Sequence, residues 1–225
     1  TTSHIGLAFD STNNKIIFAF RVGSSSGSAR VATVSGTSIS FGTKVDFNGS
    51  NTTENEVAYD VSNQKVVISY RDYGNSQYGT AIVGTVSGTN ISFGSEVVFN
   101  STTTSSQGIV YDPNQEKIII VYKDSSNTYG TGIVGTVSGT SISFGSEFVF
   151  EEANTQQCRI VYDTVAQVAV LAYRDEGVTP SIGIFLPVTV SGSTLSYGTK
   201  TTFATNSLSE LALVYDPDSE KSIAA

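Results

Sequence analysis

The tetrapeptide Thr-Val-Ser-Gly occurs four times in this 225-residue chain, at 33–36, 85–88, 136–139 and 189–192. An aromatic residue followed by Asp recurs five times, at Phe9-Asp10, Tyr59-Asp60, Tyr111-Asp112, Tyr162-Asp163 and Tyr215-Asp216. Successive aspartates are 50, 52, 51 and 53 residues apart. Complete repeats span 1–49, 50–102, 103–153 and 154–206, and 207–225 covers the first half of a fifth. A period near 50 made of short strands lies in the range of propeller blades.

The third repeat resolves into strands. Residues 107–111 read as a short apolar strand that stops at Asp112-Pro113-Asn114, a turn with Asp first and Pro next. Residues 117–122 form a continuous β-branched run, which must be covered on both faces. A polar loop at 125–130 leads to a third strand over 131–137, and Ser138-Gly139-Thr140 predicts a tight hairpin. Residues 141–150 alternate, with Ile142, Phe144, Phe148 and Phe150 on one face, and Gly145 predicts a bulge. The expectation is an all-β fold: a single β-propeller domain over 1–225, with four complete four-stranded antiparallel blades, a partial fifth and closure as five blades. Lys44, Glu96, Glu147 and Lys200 occupy one column of the fourth strand. A charge kept while its sign changes is expected to protect an exposed edge against strand pairing.

Charged residues make up 14% of the chain, well under the roughly one quarter of average domains, while the 39% hydrophobic fraction suffices for a core. Twenty acidic against twelve basic residues give a net charge of −8, which disfavours nucleic acid and anionic membranes as partners. No apolar run approaches the ~20 residues of a membrane-spanning helix. The chain has no Met, so it is expected to begin after processing or to be part of something longer. The single cysteine, Cys158, reads as a small buried apolar residue.

Antiparallel order puts the longer loops, 72–79 and 124–130, on one face with the crossovers 100–106 and 151–156. Function sits most often on such loops. At their start stands an aromatic-cation-Asp triplet: Tyr70-Arg71-Asp72, Tyr122-Lys123-Asp124 and Tyr173-Arg174-Asp175, with Phe20-Arg21-Val22 in the first repeat. Tyr73, Asn75 and Tyr78 follow the first triplet, and Asn127 and Tyr129 the second. Planar amides, carboxylates and cations suit sugar hydroxyls, and a Tyr face covers a sugar's apolar patch. The candidate ligand-binding set is therefore Arg71, Asp72, Tyr73, Asn75, Tyr78, Lys123, Asp124, Asn127, Tyr129, Arg174 and Asp175. The competing reading makes the triplets architectural, joining blade to blade.

The five recurring aspartates precede turns and read as turn residues rather than metal ligands. One histidine, no nucleophile motif and no zinc or phosphate-loop spacing give no catalytic centre and call for no cofactor. Glu54, Glu56, Glu151 and Glu152 read as solvated crossover residues rather than a glycosidase pair.

The strings Gly-Thr-Val-Ser-Gly-Thr-Ser-Ile-Ser-Phe-Gly-Ser-Glu at 135–147 and Val-Tyr-Asp-Pro-Asn at 110–114 resemble propeller-type repeats of tail-fibre and adhesin-like proteins of marine phages and bacteria. The resemblance covers the whole chain at repeat level. It implies an extracellular or virion-surface setting, with glycan or another cell-surface receptor and other fibre or virion subunits as partners. The chain is also distantly similar to lectin- and sialidase-type propellers, but it lacks the sialidase Ser-x-Asp-x-Gly-x-Thr-Trp box and any Trp. The expectation is a non-catalytic attachment module. A purely structural fibre component and a glycan-processing enzyme are the alternatives.

Overall fold

Each complete repeat is an antiparallel meander, and its second and third strands carry most of its buried residues. The computed structural model describes residues 2–206 and 208–225; Thr1 and Ser207, where the first and the partial repeat begin, lie outside the described residues. Repeat one holds β1 (Thr2–Asp10), β2 (Lys15–Val22), β3 (Ser26–Ser35), β4 (Ser38–Phe41) and β5 (Val45–Asn48). Repeat two holds β6 (Thr52–Asp60), β7 (Lys65–Asp72), a 3-10 turn at Tyr73–Asn75, β8 (Tyr78–Ser87) and β9 (Asn90–Phe93). The long strand β10 (Val97–Asp112) pairs first with β8 and then, past residue 103, with β11 (Lys117–Asp124). Repeat three continues with β12 (Gly130–Ser138) and β13 (Ser141–Glu151). Repeat four holds β14 (Thr155–Asp163), β15 (Val168–Asp175), β16 (Ile182–Ser191), β17 (Thr194–Tyr197) and β18 (Thr201–Ala204). The partial repeat forms one hairpin, β19 (Leu213–Asp216) and β20 (Lys221–Ala224).

The chain forms two compact units. One contains repeats one and two with Thr136–Ser143; the other contains Thr104–Gly135 and Phe144–Ala225. In the first, Ile17, Val31 and Phe47 of repeat one pack with Val57, Val66, Ile68, Tyr70 and Ile91 of repeat two. In the second, Ile119, Val134 and Phe150 of repeat three pack with Cys158, Ile160, Leu171, Tyr173 and Leu195 of repeat four. The doubly covered second strand is as expected: Ile118, Ile119, Ile120, Val121 and Tyr122 are all buried. Burying side chains on both faces of one strand contributes roughly 1.5–3 kcal/mol for each large aliphatic residue. First strands of successive repeats lie side by side, β1 against β6 and β14 against β19.

The turn aspartates behave as read. Asp10 Oδ1 accepts from the backbone N–H groups of Thr12 and Asn13, at 3.0 and 2.9 Å. Asp60, Asp112, Asp163 and Asp216 accept from backbone two or three residues on. Four residues after each Asp the chain enters the left-handed region, at Asn14, Gln64, Glu116, Gln167 and Glu220. Each Thr-Val-Ser-Gly ends with its Gly at positive φ in a two-residue hairpin turn, as Ser35 and Ser38 pair around Gly36.

Burial alone would raise the Asp10 carboxyl, but hydrogen bonds from the Asn13 side chain and the Asn13 and Thr12 N–H groups outweigh it and hold the group below its ordinary value. A lowered folded-state value means the contribution is present above the usual ~3.9 and is lost as pH falls through the folded value. Urea unfolding of Asp10→Asn should accordingly lose stability at neutral pH and depend less on pH below about 4 than the parent. Equal slopes for the two proteins would show that Asp10 is not linked to folding.

The bulge predicted at Gly145 is seen at the corresponding positions of repeats one and four. Ala32 opposes Phe41 and Ala29 opposes Val45, so four steps on one strand face three on the other. Repeat four repeats this between Val188↔Tyr197 and Phe185↔Thr201. The glycine at the bulge has a second reason. A Cβ on Gly42 would stand 1.9 Å from the Thr89 carbonyl oxygen, and one on Gly94 at the same distance from that of Thr140. The glycine admits the hairpin turn of the next repeat.

Candidate functional site

A second bulge, not expected from the sequence, lies in the first strand of every complete repeat. Ser3 pairs with Arg21 and Gly6 with Ala19, so three steps on β1 face two on β2. The same shift separates Thr53↔Arg71 from Glu56↔Ser69, Ser105↔Lys123 from Gly108↔Val121, and Gln156↔Arg174 from Arg159↔Ala172. In each case one bulge residue has positive φ: His4 (50°), Glu54 (54°), Ser106 (52°) and Gln157 (56°). All four stand six residues before the recurring Asp, a column legible in the sequence only once the strain is known. Non-Gly residues in this region are uncommon, and such strain concentrates at functional sites. The residue facing each bulge is the triplet aromatic, and the triplet cation pairs with the residue just before the bulge, so the bulge and the candidate set meet at one end of each repeat.

Repeat two carries the richest version. Arg71 Nη1 lies 4.0 Å from Glu54 Oε1, its Nη2 donates to Gln77 Oε1, and its guanidinium stands 5.2 Å from the centre of the Tyr73 ring. Asn55 Nδ2 donates to the His4 carbonyl at 2.9 Å, and the Glu54 N–H donates to His4 Nδ1 at 3.3 Å. Partial burial, and secondarily Arg21, lower the His4 pKa. Around this bulge are five buried polar atoms without a hydrogen-bond partner among the described residues: Thr52 Oγ1, Thr53 Oγ1, Asn55 Oδ1, Ser69 Oγ and Arg71 Nε. Buried polar atoms are rarely left unmatched, so such a concentration marks a place for water or for a polar ligand.

The other candidates divide. Asp72, Asp124 and Asp175 are buried, and each Oδ1 accepts from the backbone N–H two residues on, at 2.8, 2.9 and 2.7 Å. They close the loops rather than face an open surface. Tyr73 and Asn75 are exposed in the 3-10 turn, whereas Tyr78 belongs to β8 and is half-buried. Asn127 is exposed and Tyr129 half-buried; the Asn127 Oδ1 accepts from the Tyr129 N–H at 2.8 Å. Lys123 donates to Asn154 Oδ1 at 2.7 Å, Asn154 donates to Glu176 Oε2 at 2.8 Å, and Arg174 pairs with Glu176 and with the Leu208 carbonyl. Lys123 and Arg174 thus join consecutive repeats within the second unit. Arg21 does the same in the first, donating to Asn51 Oδ1 at 3.3 Å.

Two readings of the acidic residues are corrected. The column of Lys44, Glu96, Glu147 and Lys200 does not simply guard an edge. Tyr70 donates its hydroxyl to Glu96 Oε1 at 2.8 Å, and Tyr122 donates to Glu147 Oε1 at 2.6 Å. Where the column holds Lys200, the Tyr173 hydroxyl donates instead to Glu151 Oε2 at 2.9 Å, and Lys200 donates to the same oxygen at 2.8 Å. Repeat one has Phe20, with no hydroxyl to satisfy, and Lys44 pairs with Asp46. The sign of the charge follows the partner available to the buried tyrosine. Burial pushes these tyrosines far above the ordinary phenol value, and the facing carboxylates add to it. Nor are Glu54, Glu56 and Glu151 solvated crossover residues, whereas Glu152 is exposed. Glu54 and Glu56 lie half-buried within β6, and the Glu151 side chain is largely covered. Among the described residues no group of three or more His, Cys, Asp or Glu is placed to hold a metal ion.

No family model matches the chain. No curated protein matches it either. Solved structures match by fold. A variant of an exo-β-1,3-galactanase from Phanerochaete chrysosporium, with β-1,3-galactotriose, superposes with a TM-score of 0.56 at 8% identity, over 90% of this chain and 50% of that one. An exo-β-1,3-galactanase from Clostridium thermocellum gives 0.55 at 8%, over 88% and 48%. A protein from Lactobacillus plantarum gives 0.51 at 12%, over 97% and 82%. The chain spans about half the length of the galactanases it matches. These likenesses agree with the repeats and strand order in making the chain an all-β protein built of β-propeller blades. No tail-fibre protein is among them. The expectation of a non-catalytic attachment module is corrected by the same finding: this blade arrangement is shared with glycan-hydrolysing enzymes, so propeller repeats do not by themselves argue for passive binding.

Proposed function

We propose that the chain is glycan-processing, a hydrolase of β-linked galactan or a related polysaccharide, with its chemistry at the bulged end of repeat two. The observation that supports this best is the concentration of unmatched buried polar atoms around Glu54, Glu56 and Arg71. Apart from the turn aspartates, these two glutamates are the only carboxylates on the described first strands of the repeats. Glycoside hydrolysis needs two carboxyl groups: one protonates the departing glycosidic oxygen as the C–O bond breaks, the other activates water or attacks the anomeric carbon. Arg71, 4.0 Å from Glu54, would hold that carboxylate in place, with Glu56 as the second carboxyl group. Tyr73, beneath Arg71, offers an exposed ring face for a sugar. The polymeric substrate implies an extracellular or surface setting.

The test is release of sugar from β-1,3-galactotriose and from a panel of β-linked oligosaccharides. Glu54→Gln and Glu56→Gln should each lower the rate by about 10²–10⁴ with unchanged thermal stability. Absence of release from every substrate by the folded parent, or undiminished release by both variants, would overturn the proposal.

A further inference from the structure

The two first-strand bulges of the first unit are joined through the single histidine of the chain. The Glu54 N–H donates to His4 Nδ1 at 3.3 Å, and Asn55 Nδ2 donates to the His4 carbonyl at 2.9 Å. His4 and Glu54 are themselves the left-handed residues of their bulges, at φ 50° and 54°. The two backbones close tightly here: a Cβ on Gly6 would stand 2.3 Å from the Asn55 carbonyl oxygen. Arg21 fastens the same end, donating from Nε to Ser3 Oγ at 3.0 Å and from Nη1 to Asn51 Oδ1 at 3.3 Å. All of these residues lie within one compact unit.

The bulge takes Glu54 out of the strand ladder, between the pairs Thr53↔Arg71 and Glu56↔Ser69. An imidazole nitrogen accepts a hydrogen bond only while it carries no proton. Neutral His4, with its proton on Nε2, therefore accepts from Glu54, and the imidazolium cannot. We propose that His4 is the positioning residue of Glu54: its neutral imidazole clips the left-handed bulge that carries this carboxylate, and protonation releases it. The consequence for catalysis rests on the hydrolase reading above; the clip does not. The second unit joins its bulges through Ser106 Oγ, which donates to Gln156 Oε1 at 3.0 Å, and neither of those groups titrates. Of the two joints, only the one at Glu54 answers to pH.

The charged groups at this end of the strands packed against His4 are Arg21 on β2 and Glu54 and Glu56 on β6. Arg21 opposes protonation of the imidazole, and the carboxylates favour it. Partial burial comes first and Arg21 second in setting the net direction, which is downward from the ordinary ~6.5. The clip is accordingly closed at neutral pH and opens as pH falls through the folded-state value.

NMR titration of the 225-residue chain tests this, since one histidine gives one set of imidazole signals. Neutral His4 should be the Nε2–H tautomer, and the Glu54 amide proton should shift with the same midpoint as the imidazole. His4→Asn keeps an acceptor at the place of Nδ1, does not titrate and tolerates the left-handed backbone; its Glu54 amide should not show that step. His4→Gly removes the acceptor while easing the backbone, and should hold the Glu54 amide at its acid-side position at every pH. Hydrolysis of β-1,3-galactotriose supplies the second readout. Displacing a reacting group by ~1 Å costs up to about 10²-fold, so the parent should lose up to that factor below the His4 midpoint while His4→Asn keeps the rate. A Glu54 amide that ignores the His4 titration, a neutral imidazole protonated on Nδ1, or the same acid-side loss of rate in His4→Asn would each overturn the inference. A clip that titrates as expected in a protein that releases no sugar would count against the hydrolase reading and leave the clip standing.

Discussion

Gly94→Ala should destabilise the protein by roughly 3 kcal/mol, lowering the melting temperature by ~6–12 °C in a chain of this size. The added methyl would stand 1.9 Å from the Thr140 carbonyl oxygen, 3.0 Å from its carbonyl carbon and 3.0 Å from its Cβ. Two of those three atoms are backbone, so no rotamer change relieves the contact. Either the hairpin turn at Gly139 and Thr140 or the fourth strand of repeat two must shift. The effect is steric rather than conformational, because Gly94 does not occupy the left-handed region. Gly49 supplies the control: it too lacks positive φ, and a Cβ there meets nothing within 4 Å. Gly49→Ala should be neutral, or stabilising by about 0.4–1 kcal/mol through a less flexible unfolded chain. Differential scanning calorimetry of both variants decides the matter, and equal melting temperatures would mean that the hairpin turn yields freely.

The second large effect is expected at Tyr70. Its side chain is fully buried, its ring packs 5.1 Å from that of Phe47, and its hydroxyl donates to Glu96. Tyr70→Ala should cost about 3–5 kcal/mol for the lost ring and the cavity left behind. Tyr70→Phe keeps the ring, leaves Glu96 with its bond from Asn48 Nδ2 at 2.8 Å, and should cost roughly 1–3 kcal/mol. A denaturant series on both separates packing from the hydroxyl. If Tyr70→Phe costs as much as Tyr70→Ala, the Asn48–Glu96–Tyr70 network outweighs the ring. If Tyr70→Phe costs nothing, Glu96 draws its stability from elsewhere.

Much of the fold is legible in the chain because it is local and repeated. An Asp that caps its own turn needs only the next three residues. A run such as Lys117–Asp124 declares cover on both faces through its β-branched side chains. A glycine at each hairpin and each fourth-strand bulge follows from positions where the backbone leaves its ordinary region or approaches a neighbour. The period between these signals then carries one repeat's structure to the next, which is why the all-β blades could be read without any functional motif.

The site was not legible on those terms. Arg71, Tyr73 and Asn75 stood out by composition and loop position, but Glu54 looked like a solvated crossover residue. Only the register of β6 on β7 places it in a left-handed bulge directly after the residue that pairs with Arg71. Likewise the Lys at 200 looked like edge protection until Glu151, 49 residues away, was found accepting from both Lys200 and Tyr173. The sequence by itself therefore determined the blade, its turns and its buried strand, because those depend on neighbours in the chain. The tertiary structure alone decided which polar groups meet, because their partners lie about one repeat away, and a contact at that distance leaves no local pattern of turn or alternation.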